Sequence, residues 1–170
     1  MSTSLLSRIK DDRTVALVIA GLATALVVAL VLLAAVWHGA SERRSMDAAE
    51  SDALEAARGY AVDVTTYDYA HLDEDFSWVD NGATPAFAKQ YRDANKPLRS
   101  IIEKLKATAK GTVSEASAKA QTPSKVKVLM FIDQSITNKT NKQTRSDHSR
   151  VVMSMVKRDG HWLVNDLQVG

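Results

Sequence analysis

The stretch YDYAHLDEDFSWVDNG, residues 67–82, concentrates side chains that could do chemistry, with five carboxylates and one histidine. Carboxylate–histidine combinations can transfer protons or bind a metal ion when a pocket brings them together and shifts a pKa. The candidates are Asp68, His71 and Asp75, which would share a helix face if one helix ran through all three. An enzyme acting through these residues is therefore one interpretation of the stretch.

Helix boundaries are the other interpretation of the same acidic residues. Asp73 is a favourable N-cap, with Glu74 and Asp75 in the first turn, where negative charge meets the positive helix end. Asn81 and Gly82 are typical of a left-handed helix termination. These roles need no pocket, and they account for most of the acidic side chains in the stretch.

Thr84 and Pro85 predict the start of the next helix, because threonine is a good N-cap and proline favours the first helical position. No second catalytic constellation accompanies the acidic stretch: the four histidines are scattered, cysteine is absent and no glycine-rich phosphate loop occurs in the sequence. We therefore interpret the stretch as helix boundaries and expect no enzyme, no catalytic or metal-binding residue and no cofactor.

Two helices are predicted around the acidic stretch. The first runs from Asp47 to Leu72, where apolar residues recur at spacings of four and three. The second begins at Pro85 and ends at Gly111, and Pro97 predicts a kink or break near Asn95. The apolar stripe of the first helix is Ala53, Ala57, Tyr60, Val64 and Tyr67, and that of the second is Phe87, Tyr91, Ala94, Leu98, Ile101 and Leu105.

Beyond Gly111 the apolar period changes from helical to two, which predicts about four antiparallel strands. Asp159-Gly160 is the strongest short hairpin signal in the chain, and a two-residue turn there pairs Arg158 with His161. Helices followed by strands indicate an α+β fold, with the helices gathered on one face of the sheet.

One predicted strand carries large apolar side chains on both faces. Val128, Met130 and Ile132 lie on one face, and Leu129 and Phe131 lie on the other. Helices can cover only one face of a single sheet, and an exposed apolar patch usually marks an interaction surface. We therefore predict that Leu129 and Phe131 dock onto a partner, unless helix ends or a loop cover them.

Residues 14–37, TVALVIAGLATALVVALVLLAAVW, contain no charge and are long enough to cross a bilayer as a helix. Trp37 suits the membrane interface, and the basic residues at 8, 10 and 13 favour a cytoplasmic N-terminus by the positive-inside rule. We expect a single-pass protein of the inner cell membrane whose domain lies outside the cytoplasm. The predicted organisation is a cytoplasmic tail at 1–13, a transmembrane helix at 14–37, a stalk at 38–52 and a domain at 53–170.

Charge is distributed unevenly along the rest of the chain. Residues 42–80 hold eleven acidic and three basic side chains, whereas residues 81–170 hold sixteen basic and seven acidic ones. The two parts can attract each other within the fold or face different partners. The basic run at Lys104, Lys106 and Lys110 has no interleaved aromatic residues, so we expect no nucleic-acid partner.

Four segments follow the anchor in a distinctive order: AARGYAVDVTTYDYAHLDEDF, GATPAFAKQY, VLMFIDQSITN and VVMSMVKRDGHWLVNDL. In this order the chain resembles the Mce-associated membrane proteins of actinobacteria, which accompany the mammalian-cell-entry (Mce) lipid importers. The part after the span is similar to the cone-shaped nuclear-transport-factor-like fold, with helices on a curved antiparallel sheet. The single-span scaffold proteins of type IV secretion systems share that fold.

The resemblance implies a non-enzymatic accessory or scaffold subunit that supports assembly or stability of an Mce-type lipid or sterol importer. Its implied partners are the bilayer, Mce importer subunits or homologous accessory proteins, and a second copy of the chain. Two alternatives stay open: a scaffold of a secretion system, and a cone-fold enzyme acting on a steroid-like or lipid substrate. The enzyme would need a polar pair deep in the cone, whereas the two scaffolds differ only in their partners.

Overall fold

The computed structural model describes the backbone of residues 3–140 and 142–170, with the side chains from residue 21 onward except those of residues 23, 25, 34–36 and 38. Two compact units divide the chain, Met1–Arg44 and Ser45–Gly170. The predicted tail at 1–13 and much of the predicted span at 14–37 fall on side chains outside this description. Among the described residues, no helix has both the length and the apolar content that a membrane crossing requires.

The described chain forms four helices and one antiparallel sheet with the strand order β1-β2-β3-β4-β5. This confirms the predicted α+β fold, although the sheet has five strands instead of about four. The elements are α1 (Thr3–Thr65), β1 (Tyr67–Asp68), α2 (Leu72–Asp75), α3 (Val79–Gly82), α4 (Pro85–Leu105), β2 (Ala107–Thr122), β3 (Lys125–Asn138), β4 (Gln143–Arg158) and β5 (His161–Val169).

The first predicted helix ends earlier than its apolar pattern suggests. It was expected to reach Leu72, but α1 stops at Thr65 and the next residues form β1, which pairs with β2. The sheet supplies hydrogen-bond partners for the backbone of β1. Tyr67 packs there against the buried Ile102 and Ala107. The helical spacing of Tyr67 in the sequence is therefore coincidental, because sheet pairing decides its conformation.

The main core lies between α1, α4 and one face of the sheet, here called the inner face. Small residues at a spacing of four let the end of α1 approach the sheet closely, and each is at most 3% exposed. Large side chains of the inner face fill the space opposite, and burying one such side chain contributes about 1.5–3 kcal/mol. The α1 residues are Ala49, Ala53, Ala57 and Ala61, and their partners in the cluster include Val128, Met130, Ile132, Met153, Met155 and Val164.

Ion pairs connect the acidic first part of the domain with its basic remainder. Glu50 lies 3.9 Å from Lys119, and Asp52 lies 3.5 Å from Lys157. The Glu50 carboxylate also accepts a hydrogen bond from the Ala120 backbone N–H at 2.7 Å. The two parts thus attract each other within one fold, although exposed pairs of this kind contribute at most about 1 kcal/mol each.

α4 runs through Pro97 without interruption, so of the predicted kink or break near Asn95 the break is wrong. The helix also ends before the predicted Gly111, because Lys106 adopts a left-handed conformation with φ of 48°. Gly111 instead lies within β2. Ile102 is 2% exposed and holds the half of α4 beyond the proline against the fold. This tertiary contact offsets the helix-breaking tendency of an internal proline.

The β4–β5 hairpin has the predicted two-residue turn. Asp159 and Gly160 have φ of 50° and 82°, which are left-handed values. Two such residues define a type I′ turn, whose twist matches that of the flanking strands. Arg158 pairs with His161 across the turn, as the sequence predicts.

Candidate functional site

A cavity of about 640 Å³ opens between α1, α4 and the inner face of the sheet. Its floor is formed by apolar side chains of β3 and β4, among them Ile132, Val151 and Met153. α1 contributes Ala61 and Val64 to one wall. The opposite wall belongs to α4, with Phe87, Tyr91, Ala94 and Leu98. The volume and the apolar lining are those of a small-molecule binding site.

An aromatic cluster supports the α4 wall of the cavity. Trp78 and Tyr91 stack edge to face, with ring centroids 5.2 Å apart at 71°, and Phe87 lies 6.0 Å from Tyr91. Such pairs add about 0.5–1.5 kcal/mol beyond the area that they bury. Burial raises the pKa of the Tyr91 phenol. The phenol therefore stays protonated at neutral pH, and this aromatic part of the wall is uncharged.

Polar groups line the cavity toward the β3–β4 turn. Gln134 donates from Nε2 to the Thr65 carbonyl oxygen at 2.7 Å, which ties β3 to the end of α1. The pKa of the Tyr67 phenol is raised by burial; the nearby Arg145 opposes the shift and Asp147 adds to it. Arg145 and Asp147 form an ion pair. Among the described residues, no group of three or more metal-ligating side chains occurs here or elsewhere.

The residues of the enzymatic interpretation do not line this cavity. Asp75 accepts a hydrogen bond at Oδ2 from the Asp68 backbone N–H at 2.7 Å. Asp68 in turn accepts one at Oδ1 from the Ala70 backbone N–H at 2.9 Å. His71 precedes α2, and its backbone N–H donates to the Asp68 carbonyl oxygen at 2.9 Å. The structure brings Asp68 and Asp75 together, but their carboxylates accept backbone N–H groups of a turn and do not line the cavity.

The predicted N-cap at Asp73 is wrong by two residues. His71 occupies the cap position of α2, because its carbonyl oxygen already accepts the N–H groups of Glu74 and Asp75 at 3.0 Å. Asp73 lies in the first turn, where its charge is still favourable. There it forms an ion pair with Arg99 of α4.

Gly82 is needed for a different reason from the predicted one. It is the last residue of α3, it has no left-handed φ, and extended Ala83 follows it. A Cβ atom at Gly82 would lie 2.4 Å from Cε1 of Tyr60. The glycine therefore permits a close approach of the chain to an aromatic ring. The neighbouring cap is present as predicted: Thr84 Oγ1 accepts the Phe87 N–H at 3.4 Å, with Pro85 at the first helical position.

The predicted docking residues lie on the sheet face opposite the helices, here called the outer face. Leu129 is 38% exposed and Phe131 is 48% exposed. Leu129 lies between Ser117 and the partly buried Val152 on the neighbouring strands. No helix of the described domain covers this pair, so the outer face is a second candidate site.

The cavity is the feature that sequence reasoning missed. Phe87, the first residue of the apolar stripe on α4, is buried in the core. Ala94 and Leu98 of the same stripe are exposed at the cavity mouth. Two polar residues beside the stripe could have indicated the cavity. Gln90 precedes Tyr91 and Asn95 follows Ala94, and both line the cavity.

Comparison with known proteins gives a family without a described activity. Residues 11–168 match the family model "Uncharacterized protein Rv1363c/MT1408-like". "Uncharacterized protein Rv1362c" of Mycobacterium tuberculosis H37Rv is 31% identical over 124 residues, or 71% of this chain and 52% of that protein. "Uncharacterized protein MT1407" of the CDC 1551 strain matches equally well. The chain thus spans about half the length of the curated relatives it matches.

Several solved structures share the fold. An IcmL-like type IV secretion system protein of Legionella pneumophila has a TM-score of 0.59 and 15% identity, covering 69% of this chain and 88% of its own. CagV, a VirB8 homologue of Helicobacter pylori, has a TM-score of 0.58 and 17% identity, covering 71% and 97%. These likenesses confirm the expected type IV secretion scaffold-like fold. They do not indicate Mce association, which stays a prediction.

Proposed function

We propose that this chain, which belongs to the family of Rv1363c/MT1408-like proteins, is a non-enzymatic scaffold subunit of a multi-protein assembly in the cell envelope. The observation that carries the proposal is the outer face, where Leu129 and Phe131 remain exposed at the centre of the sheet. A contiguous exposed apolar patch is a common mark of a protein interaction surface, and these two side chains form the apolar centre of the proposed one. The fold shared with type IV secretion system proteins is an analogy that agrees with this function.

Charge on the outer face defines the partner. Phe131 lies between Glu115 and Arg150 on the neighbouring strands. Lys127 and Lys119, which face each other, continue the surface next to Leu129. Asp133 lies two residues from Phe131 on the same strand face, so three basic side chains and two acidic ones flank the apolar pair. The proposed partner is a protein surface with apolar side chains surrounded by carboxylates, which would match both the apolar centre and the basic rim.

A secretion-type scaffold is the better supported form of this function, because structures with the same fold are named as type IV secretion system proteins. An Mce-type importer remains the expectation from the sequence resemblance. The two forms differ in the identity of the partner subunits, so identification of the co-purified partners separates them.

The non-enzymatic part of the proposal has its own support. The carboxylates of Asp68 and Asp75 are used by backbone N–H groups. The cavity phenols of Tyr67 and Tyr91 have raised pKa values, which keeps them protonated rather than available as bases. Neither arrangement provides an activated nucleophile or general base.

We propose further that residues 14–37 anchor the chain in the inner membrane, with the N-terminus in the cytoplasm. Large apolar side chains described in this segment are at least half exposed, with values from 52% at Val28 to 75% at Trp37. Exposure of this kind all around a helix suits a lipid environment. The domain from Ser45 onward would then lie outside the cytoplasm.

The test uses the full-length tagged chain in its native membrane. Phe131→Glu places a charge at the centre of the outer face, and we expect co-purification of partner subunits to fall at least about tenfold, as for the loss of roughly 1.4 kcal/mol. Val62→Glu is the matched control, because Val62 is 39% exposed on α1 and lies away from the outer face. Partners are identified by mass spectrometry and confirmed by reciprocal purification.

Two further results sharpen the outcome. Lys127→Glu should weaken the binding of partner subunits and make that binding less sensitive to salt concentration. The reason is that the variant removes an attraction between Lys127 and carboxylates of the partner. Circular dichroism of each variant shows whether the fold is kept. Equal recovery of the same partners with Phe131→Glu and Val62→Glu would overturn the proposed docking face.

A further inference from the structure

The cavity beside α4 continues into an apolar track on the domain surface. Leu98 lines the cavity mouth. Ile101 and Leu105 follow at helical spacing toward the end of α4 and are 52% and 39% exposed. Residues three and four apart lie on one helix face. The apolar surface is therefore long and narrow, and it runs from the enclosed floor of the cavity to the end of the helix.

The track leads to a cluster of basic side chains, here called the basic end. The last turn of α4 is joined to the β3–β4 turn: the Lys139 N–H donates to the Lys106 carbonyl oxygen at 3.4 Å, and Thr140 Oγ1 donates to the Leu105 carbonyl oxygen at 2.9 Å. These contacts bring lysines of two separate segments to one end of the domain. The basic end is defined by Lys106 and Lys139, which these contacts join, together with their sequence neighbours Lys104, Lys142 and Arg145.

Basic side chains outnumber carboxylates in the two segments that form the basic end. Asp147 is engaged with Arg145, and Glu103 is the other acidic side chain at the end of α4. Lys139 lies over the ring of Tyr69, with Nζ 5.0 Å from the centroid, so it is held near β1 by a cation–π contact. Carbonyl oxygens at the end of α4 would repel an anion, but several of them accept hydrogen bonds. The Leu105 carbonyl accepts the Thr140 hydroxyl, and the Glu103 and Ile102 carbonyls accept the Lys106 N–H.

We infer that the cavity binds one single-chain anionic amphiphile. Its acyl chain would occupy the cavity and the track along Leu98 and Ile101, and its carboxylate or phosphate headgroup would lie at the basic end. An apolar lining gains free energy in proportion to the ligand surface that it encloses, about 25 cal/mol per Å². Clustered lysines supply the charge-assisted hydrogen bonds that an anionic headgroup accepts. This inference does not depend on the proposed scaffold function.

The test labels the full-length chain, held in nanodiscs of a neutral lipid, with palmitic acid that carries a photoreactive diazirine on its chain. Mass spectrometry then locates the cross-links. We expect them on the cavity floor and on α4 between Tyr91 and Leu105. A lysophosphatidylglycerol of the same chain shows whether a phosphate headgroup is preferred to a carboxylate, and the methyl ester of the acid removes the charge.

Ala94→Trp is designed to fill the cavity mouth, since Ala94 is exposed there and its replacement disturbs no buried contact. It should lower cavity labelling by about tenfold, the equivalent of roughly 1.4 kcal/mol. Ala86→Trp is the matched control, because Ala86 is exposed on the same helix but does not line the cavity. Leu98→Asp provides a second variant at the mouth, at a side chain that is 41% exposed.

The headgroup is tested with the double variant Lys106→Gln/Lys139→Gln, which should lower labelling by the acid severalfold and leave labelling by the ester unchanged. Lys125→Gln/Arg158→Gln serves as its control, because both side chains are exposed and lie at the opposite ends of β3 and β4 from the β3–β4 turn. Cross-links that survive Ala94→Trp and Leu98→Asp unchanged would overturn the cavity as the binding site. Equal labelling by the acid and the ester would overturn the anionic headgroup.

Discussion

Strand β3 carries apolar side chains of similar size on two faces, one packed against helices and the other in contact with solvent. On its inner face Val128, Met130 and Ile132 are at most 1% exposed, whereas on its outer face Leu129 and Phe131 are 38% and 48% exposed. The helices pack on the inner face only. The alternation along the strand thus assigns each residue to a face, but the packing of distant helices decides which face becomes core.

The largest expected effect compares neighbours on the two faces. Met130→Ala should lower the free energy of unfolding by about 2–5 kcal/mol, because it leaves a cavity in a close-packed core. Leu129→Ala should lower it by less than about 1 kcal/mol, because much of that side chain is already in contact with water. Urea unfolding of the full-length chain, followed by circular dichroism, measures both. Equal losses would mean that the outer face is covered.

A smaller change in the free energy of unfolding is expected when two glycines of the helices, one buried and one exposed, are replaced by alanine. Gly82→Ala should lower the unfolding free energy by about 1–3 kcal/mol, because the new Cβ would displace the Tyr60 ring. That ring also holds a hydrogen bond from its hydroxyl to the Trp162 carbonyl oxygen at 3.1 Å.

Gly59→Ala is the matched control for this change. Gly59 is exposed within α1, and a Cβ there would have no neighbour within 4 Å. Alanine is a better helix former than glycine, so this variant should gain about 0.5–1 kcal/mol. The two variants should shift the melting temperature in opposite directions, and a shift of the same sign would contradict the close approach at Gly82.

The smallest expected effect is the pH dependence of stability that is linked to Tyr67. The pKa of Tyr67 is raised above its usual value of 10.0, chiefly by burial. The folded state therefore holds the phenol proton more tightly than the unfolded state. The stability linked to this group is fully present below the unfolded pKa and is lost as pH rises through the folded pKa. The melting temperature of the wild-type chain should fall more steeply at alkaline pH than that of Tyr67→Phe. Identical pH profiles would show that burial does not perturb Tyr67.

Local sequence features predicted local structure well. The Asp159-Gly160 turn and the Thr84-Pro85 helix start depend on the conformational preferences of two adjacent residues, and both are present. Strand alternation placed Leu129 on the face opposite Met130. In contrast, the helix end at Thr65 and the passage of α4 through Pro97 depend on partners elsewhere in the chain. Local preferences placed the end of α1 too late and allowed a break at Pro97 that is absent, because tertiary contacts contribute more free energy than propensity does.

The candidate sites divide in the same way. The sequence by itself determined the α+β class, the apolar character of both faces of β3 and the interpretation of the acidic stretch as local structure. Only the tertiary structure decided that Gly82 must accommodate Tyr60, that Ala94 and Leu98 border a cavity, and that lysines of α4 and the β3–β4 turn share one end. The physical reason is that burial and charge clustering depend on distances between segments far apart in the chain, whereas a sequence pattern reports only on neighbours within a few residues.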